Sequence, residues 1–168
     1  MNGKQLKNSI LQWAIQGKLV PQDPNDEPAS VLLERIRAEK ARLVKEKKIK
    51  KDKNESIIYR GEDNSYYEKF LATREVKCID EEIPFEIPAT WEWCRLLSIV
   101  SLLGDGIHGT PEYSEGGSVY FINGNNLFDG QILIKPDTKT VSKEEAVKHS
   151  RLLNESTVLV SINGTIGN

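Results

Sequence analysis

The stretch from Gly104 to Asn126, GDGIHGTPEYSEGGSVYFINGNN, limits the fold more than any other. Glycines at 104, 106, 109, 116, 117 and 124 permit positive φ and close backbone approach, and they rule out a long helix. Short strands between shaped loops remain. The apolar run Val119–Ile122 supplies one strand, with turns expected at Asn123-Gly124. Around the glycines stand side chains that hydrogen-bond or stack: His108, Thr110, Tyr113, Asn123, Asn125 and Asn126. The pattern recurs at the end of the chain. Thr157–Ile162 reads as the best strand in the sequence, and Asn163-Gly164-Thr165-Ile166-Gly167-Asn168 follows it. Strands tipped by Gly/Asn loops fit two readings. Asn-Gly is the commonest hairpin signal, so these are ordinary turns. Equally, a stiff scaffold with polar tips is how proteins present a recognition surface.

The N-terminal third has a different period. Leu6, Ile10, Trp13 and Ala14 recur at helical spacing, predicting a helix over 3–16 with Gly17 just past its end. Pro21, Pro24 and Pro28 enclose a loop. A second helix is expected from about Pro28 to about Lys50, capped by Asp26 or Glu27. Its apolar face is Ala29, Leu32, Leu33, Ile36 and Leu43-Val44, and its first half can pair with the first helix as a hairpin. Residues 54–82 read as a linker that partly packs, with a short strand at Ser56–Tyr59. Beyond it, Ile83–Pro88 suggests an edge strand or extended lead-in, and Arg95–Leu102 a strand or short helix. Strands follow at Val119–Ile122 and Gln131–Ile134, with an extended run at Thr138–Val141. Ser142-Lys143-Glu144-Glu145 has a capping-box pattern and predicts a helix over about 143–150. The class is α+β: a helical region over 1–53, a linker over 54–82 and a mainly β domain over 83–168.

Charge is uneven. Arg35–Lys53 holds ten basic and three acidic residues; from Asn54 onward there are ten basic and eighteen acidic. Phosphate neutralisation dominates nucleic-acid affinity, so outside the basic segment this balance argues against a stand-alone binder. The sequence MNGKQLKNS leads into an amphipathic helix, not an apolar secretory segment. No apolar run reaches membrane-spanning length. A cytoplasmic location is expected, with Cys78 and Cys94 as reduced thiols, since their spacing matches neither a metal motif nor a redox motif.

Signals for catalysis are thin. Asp105, His108 and Glu112 lie close enough in sequence to hold a metal, but nothing repeats their spacing. Gly104, Gly106 and Gly109 match a dinucleotide-type pattern without the strand before it or the helix after it. No nucleophile elbow and no phosphate loop are present. No cofactor is expected.

Several stretches together resemble the specificity subunit of type I restriction–modification systems. LKNSILQWAIQGKLVPQDPNDEPASVLLERIRAEKARL, Leu6 to Leu43, looks like that family's conserved helical region. IPFEIPATWEWCRL, Ile83 to Leu96, looks like the lead-in to its target-recognition domain. The Gly104–Asn126 stretch and the terminal LVSINGTIGN look like that domain's loops and strands.

The resemblance implies a non-catalytic subunit that reads part of a split sequence in double-stranded DNA. It also implies docking to a modification methyltransferase and, through it, to a restriction subunit. A full subunit carries two recognition domains and two helical regions, so the resemblance implies a shortened chain here, open to self-association. The residues expected to face DNA are Asp105, His108, Thr110, Tyr113, Asn123, Asn125, Asn126, Asn163 and Thr165. Those expected to dock a partner are Leu6, Ile10, Trp13, Leu32, Ile36 and Leu43. Two other readings stand beside it: a helix-mediated interaction or dimerisation protein that reads no DNA, and a small metal-dependent nuclease.

Overall fold

The computed structural model describes residues 2–149 and 153–161. The chain is α+β, with helices and small antiparallel sheets, and it divides into two compact units, Met1–Leu103 and Gly104–Asn168. The lead-in stretch Ile83–Leu96 falls in the first of these.

The first unit opens with α1, Gly3–Ile15. Asn2 and Gln5 cap it reciprocally: the Gln5 N–H donates to Asn2 Oδ1 and the Asn2 N–H to Gln5 Oε1, both at 2.9 Å. Gly17 ends it at φ +66°, with Gly17 N donating to Ala14 O and Lys18 N to Trp13 O. That is a Schellman closure. Gly17 also has no room for a side chain, since a Cβ there would lie 2.6 Å from Pro88 Cγ. The loop after it is tied to the same place. Trp91 Nε1 donates to Gln22 Oε1, and Ala29 N donates to Thr90 O, each at 2.9 Å.

α2 spans Ala29–Lys45, shorter than expected at both ends. Pro28 occupies its N-cap instead of Asp26 or Glu27, because Thr90 takes the amide that a side-chain cap would have served. The C-terminus closes early because Lys47 turns left-handed at φ 59°, with Lys48 N donating to Leu43 O. The basic run after Lys45 therefore lies outside the helix. Its helical neighbour is the single-turn α3, Leu96–Ile99, where Lys40 Nζ donates to the Leu97 carbonyl at 2.5 Å.

Residues 54–82, expected as a linker that partly packs, fold within the first unit. They hold the largest sheet among the described residues, a meander of β1 (Ser56–Arg60), β2 (Tyr66–Phe70) and β3 (Val76–Cys78). Ser56 pairs with Phe70 and Arg60 with Tyr66; Tyr67 pairs with Cys78. Beneath it sit Ile79, 2% exposed, and Glu68, 3% exposed. Glu68 is fully partnered. Ser56 Oγ donates to it at 2.5 Å, Arg95 Nε at 3.0 Å, and Arg95 Nη2 makes an ion pair with it. Arg95 reaches Glu82 as well, at 2.8 Å. Arg95, helped by Ser56, holds the Glu68 carboxyl below the usual range against the effect of burial.

The second unit is built from strand pairs of two residues each. β4 (Val119–Tyr120) pairs with β7 (Thr140–Val141), and β5 (Leu127–Phe128) with β6 (Gln131–Ile132). Val141, 5% exposed, is its buried centre, bridged also by Tyr113. Gly117 lies against the same backbone, where a Cβ would fall 2.5 Å from the Val141 carbonyl oxygen. α4, Lys143–His149, starts as its pattern predicted, with Glu145 N donating to Ser142 Oγ. The Glu112 amide and then the His149 ring hold the Glu145 carboxyl down at about 2.

The expected strand at Thr157–Ile162 does not form over its described part. Residues 157–161 pair with no strand among the described residues, and Val158 and Val160 are exposed at 85% and 76%. Strand propensity alone does not make a ladder.

Candidate functional site

The three asparagines at 123, 125 and 126 form one loop but play three different parts. Gly124–Asn126 is a single 3₁₀ turn, not the hairpin turn expected at Asn123-Gly124. The hairpin turn is the neighbouring Asp129-Gly130, where φ is 48° and 70°. Two consecutive positive φ values match the twist of the β5–β6 pair. Asn123 caps the 3₁₀ turn, its Oδ1 accepting from Asn125 N at 2.9 Å. The Asn125 side chain is exposed and enters no hydrogen bond among the described residues.

Asn126 corrects the expectation that it faces DNA. It is 4% exposed. Its Nδ2 donates to Leu133 O and to Thr138 Oγ1, both at 2.9 Å, and its Oδ1 accepts from Asn123 N at 3.2 Å. Both amide hydrogens are spent inside the protein, and burial keeps the oxygen's remaining lone pair from a base edge.

The other expected tips stand apart from this loop in sequence. Asp105 and His108 face each other at 3.4 Å, and both are well exposed. They and Thr110 lie in a segment without regular structure. Tyr113 is anchored by its bridge to Val141 and by an edge-on contact with Phe121 at 5.7 Å, while 44% of it stays exposed. Asn163 and Thr165 lie outside the described residues. Among the described residues no group of three or more His, Cys, Asp or Glu side chains is placed to hold a metal ion.

Two residues that the sequence reading missed shape the loop. Thr138 accepts from Asn126 and also from Lys135 N at 2.8 Å. Lys135 Nζ donates to the Asn125 carbonyl at 2.7 Å. Lys135-Pro136-Asp137-Thr138 is a turn, closed by Thr138 N on Lys135 O at 3.0 Å. Proline at the second position and Asp next to it are the signal that could have found it.

In the first unit the expected docking residues divide. Leu6, Ile10 and Trp13 are exposed at 47%, 42% and 56%, and Leu32 at 44%. Ile36 and Leu43 are half-buried within their own unit. No helix among the described residues is long and apolar enough to cross a membrane.

The chain is thus a small α+β fold with polar loop tips in one unit and exposed apolar side chains along α1 in the other. By sequence it is a homologue of the specificity subunits of type I restriction enzymes. It is 39% identical over 163 residues to the type I restriction enzyme EcoAI specificity subunit of Escherichia coli, a match covering 97% of this chain and 24% of that protein. It is 46% identical over 101 residues to the EcoEI specificity subunit of the same organism, covering 60% of this chain and 14% of that protein. The chain thus spans about a quarter or less of the length of these curated relatives. No protein-family model and no solved structure matches it.

Proposed function

We propose that this chain reads part of a split sequence in double-stranded DNA as a non-catalytic specificity component of a type I restriction–modification complex. The observation that carries the reading is the match to one named specificity subunit over nearly the whole chain and to a second over 60% of it. The second unit supplies the readers. Asn125 offers an unengaged amide, which can pair with two edges of an adenine. Asn123, Asp105 and His108 flank it in sequence with further polar groups, and Thr110 and Tyr113 meet thymine methyls or the sugar–phosphate backbone. Asn163 and Thr165 complete the expected set. The first unit docks the modification methyltransferase in the cytoplasm and, through it, the restriction subunit.

Asn125→Ala tests the reading. In the full-length protein assembled with its methyltransferase, specific binding should weaken by about 1–3 kcal/mol, the value of one bidentate base contact. Fluorescence anisotropy on a duplex selected from a randomised library by the wild-type assembly measures it. An unchanged affinity removes Asn125 from the readers.

One observation favours a second reading. Leu6, Ile10 and Trp13 recur at helical spacing and stay exposed together on α1, as a helix awaiting a protein partner would hold them. On that reading the chain is an interaction module that dimerises or docks without reading DNA. Size-exclusion chromatography with and without the methyltransferase separates the two.

A further inference from the structure

Duplex DNA demands cations, and the second unit has few. From Gly104 to Asn168 there are five basic and eight acidic side chains. Where each cation is held therefore decides how this unit can sit on a phosphate backbone. Lys148 and Glu145 form an ion pair on α4. Lys135 is different. It is exposed and takes part in no ion pair among the described residues, yet both its ends are fixed. Its amide is held by Thr138 Oγ1 at 2.8 Å, and its ammonium donates to the Asn125 carbonyl at 2.7 Å. An ammonium has three hydrogens and this contact uses one. The open concavity beside it is lined by Asn125, Lys139 and one carboxylate, Asp137.

We propose that Lys135 is a DNA-phosphate contact of this chain, and that Thr138 and Asn126 are the positioning residues that keep its charge beside the base-reading Asn125. The proposal rests on the DNA-reading function above. Its physical basis is the chain of bonds through Thr138 Oγ1. That hydroxyl accepts from Asn126 Nδ2 and from Lys135 N, so the 123–126 turn and the 135–138 turn are joined at one atom. A lysine whose backbone and head group are already placed loses little freedom on meeting a phosphate. The amide reader and the cation then move as one piece, and a phosphate bound at Lys135 adds affinity to either duplex without itself reading sequence.

The test uses the full-length protein assembled with its methyltransferase. Binding is measured across a salt series on the selected duplex and on a scrambled duplex of equal length. A wild-type assembly that prefers neither duplex overturns the DNA-reading function itself. Given a preference, Lys135→Ala should lower the slope of log K against log salt by about 0.9 and weaken binding about eightfold near 0.1 M salt. Both duplexes should weaken equally, so the preference between them survives. Lys135→Arg should restore the slope. Thr138→Val, checked for folding by circular dichroism, should lower the slope as Lys135→Ala does, and the double variant should lower it no further. A slope unchanged in Lys135→Ala overturns the phosphate contact. Additive losses in the double variant overturn the positioning role.

Discussion

Arg95→Ala should unsettle the first unit in a way that pH can diagnose. Arg95 donates to both oxygens of Glu68, a carboxylate 3% exposed, and pairs with Glu82 at 2.8 Å. Removing one partner of a buried pair costs about 3–5 kcal/mol. The Arg95 side chain is 43% exposed, though, and water reaches its side of the contact, where exposed pairs contribute about 0–1 kcal/mol. A cost near 2 kcal/mol lies between these limits. With a urea slope of about 2 kcal/mol/M, the unfolding midpoint should fall by about 1 M. Trp13, Trp91 and Trp93 all lie in Met1–Leu103, so tryptophan fluorescence follows this unit selectively.

The pH profile is the sharper readout. In the intact protein the Glu68 carboxyl is held below its unfolded value, chiefly by Arg95. Its contribution is therefore complete above about pH 4.3, the unfolded carboxyl value, and is lost as pH falls through the lower folded value. Without Arg95, burial is the largest remaining influence on Glu68 and acts upward, against Ser56 and Lys77. The folded value should therefore move up, and Arg95→Ala should lose the stability that the intact protein holds as pH rises above about 4.3. Glu68→Gln in the same background should recover part of the loss, since the amide keeps a partner in Ser56 without a charge. A midpoint that stays put, with a flat profile in that window, would refute the claim that Glu68 is ionised and held by Arg95.

Two further outcomes are open to direct measurement. Gly117→Ala places a methyl 2.5 Å from the Val141 carbonyl, and backbone on both sides leaves no cheap relief; amide exchange at Val119–Val141 should accelerate at least about tenfold, a loss of about 1.4 kcal/mol or more. Leu6→Lys with Ile10→Lys alters side chains that are already exposed, so the urea midpoint should move by less than about 0.5 kcal/mol equivalent, while co-elution with the methyltransferase is lost.

What the sequence disclosed follows the range of the interactions concerned. α1, its Gly17 closure and α4 were legible because caps and periodicity act within a few residues. The meander over residues 56–78 was not. On β2 the buried position is Glu68, a residue that local reasoning assigns to solvent, and its burial depends on Arg95, 27 residues away. The described residues 157–161 failed in the opposite sense: their composition favours a strand, but a strand needs a neighbour that composition does not supply. The end of α2 was missed because Lys47 takes a left-handed conformation usually left to glycine.

The asparagine loop sharpens the same point where function is concerned. Asn123, Asn125 and Asn126 are chemically identical and nearly adjacent, so sequence ranks them equally as readers of a base. Their surroundings do not. Asn126 reaches Leu133 and Thr138, and its amide is consumed in joining two turns. Asn123 spends its oxygen on the Asn125 amide. Asn125 keeps its side chain open because the other two hold the backbone that presents it. A loop made only of outward-pointing asparagines would have no internal bonds to fix its shape, and each reader would have to be ordered at the moment of binding. On the proposed DNA-reading role, dividing the three between building and reading places that cost in folding instead, and Asn126 variants should lose discrimination between the selected and scrambled duplexes without ever having touched a base.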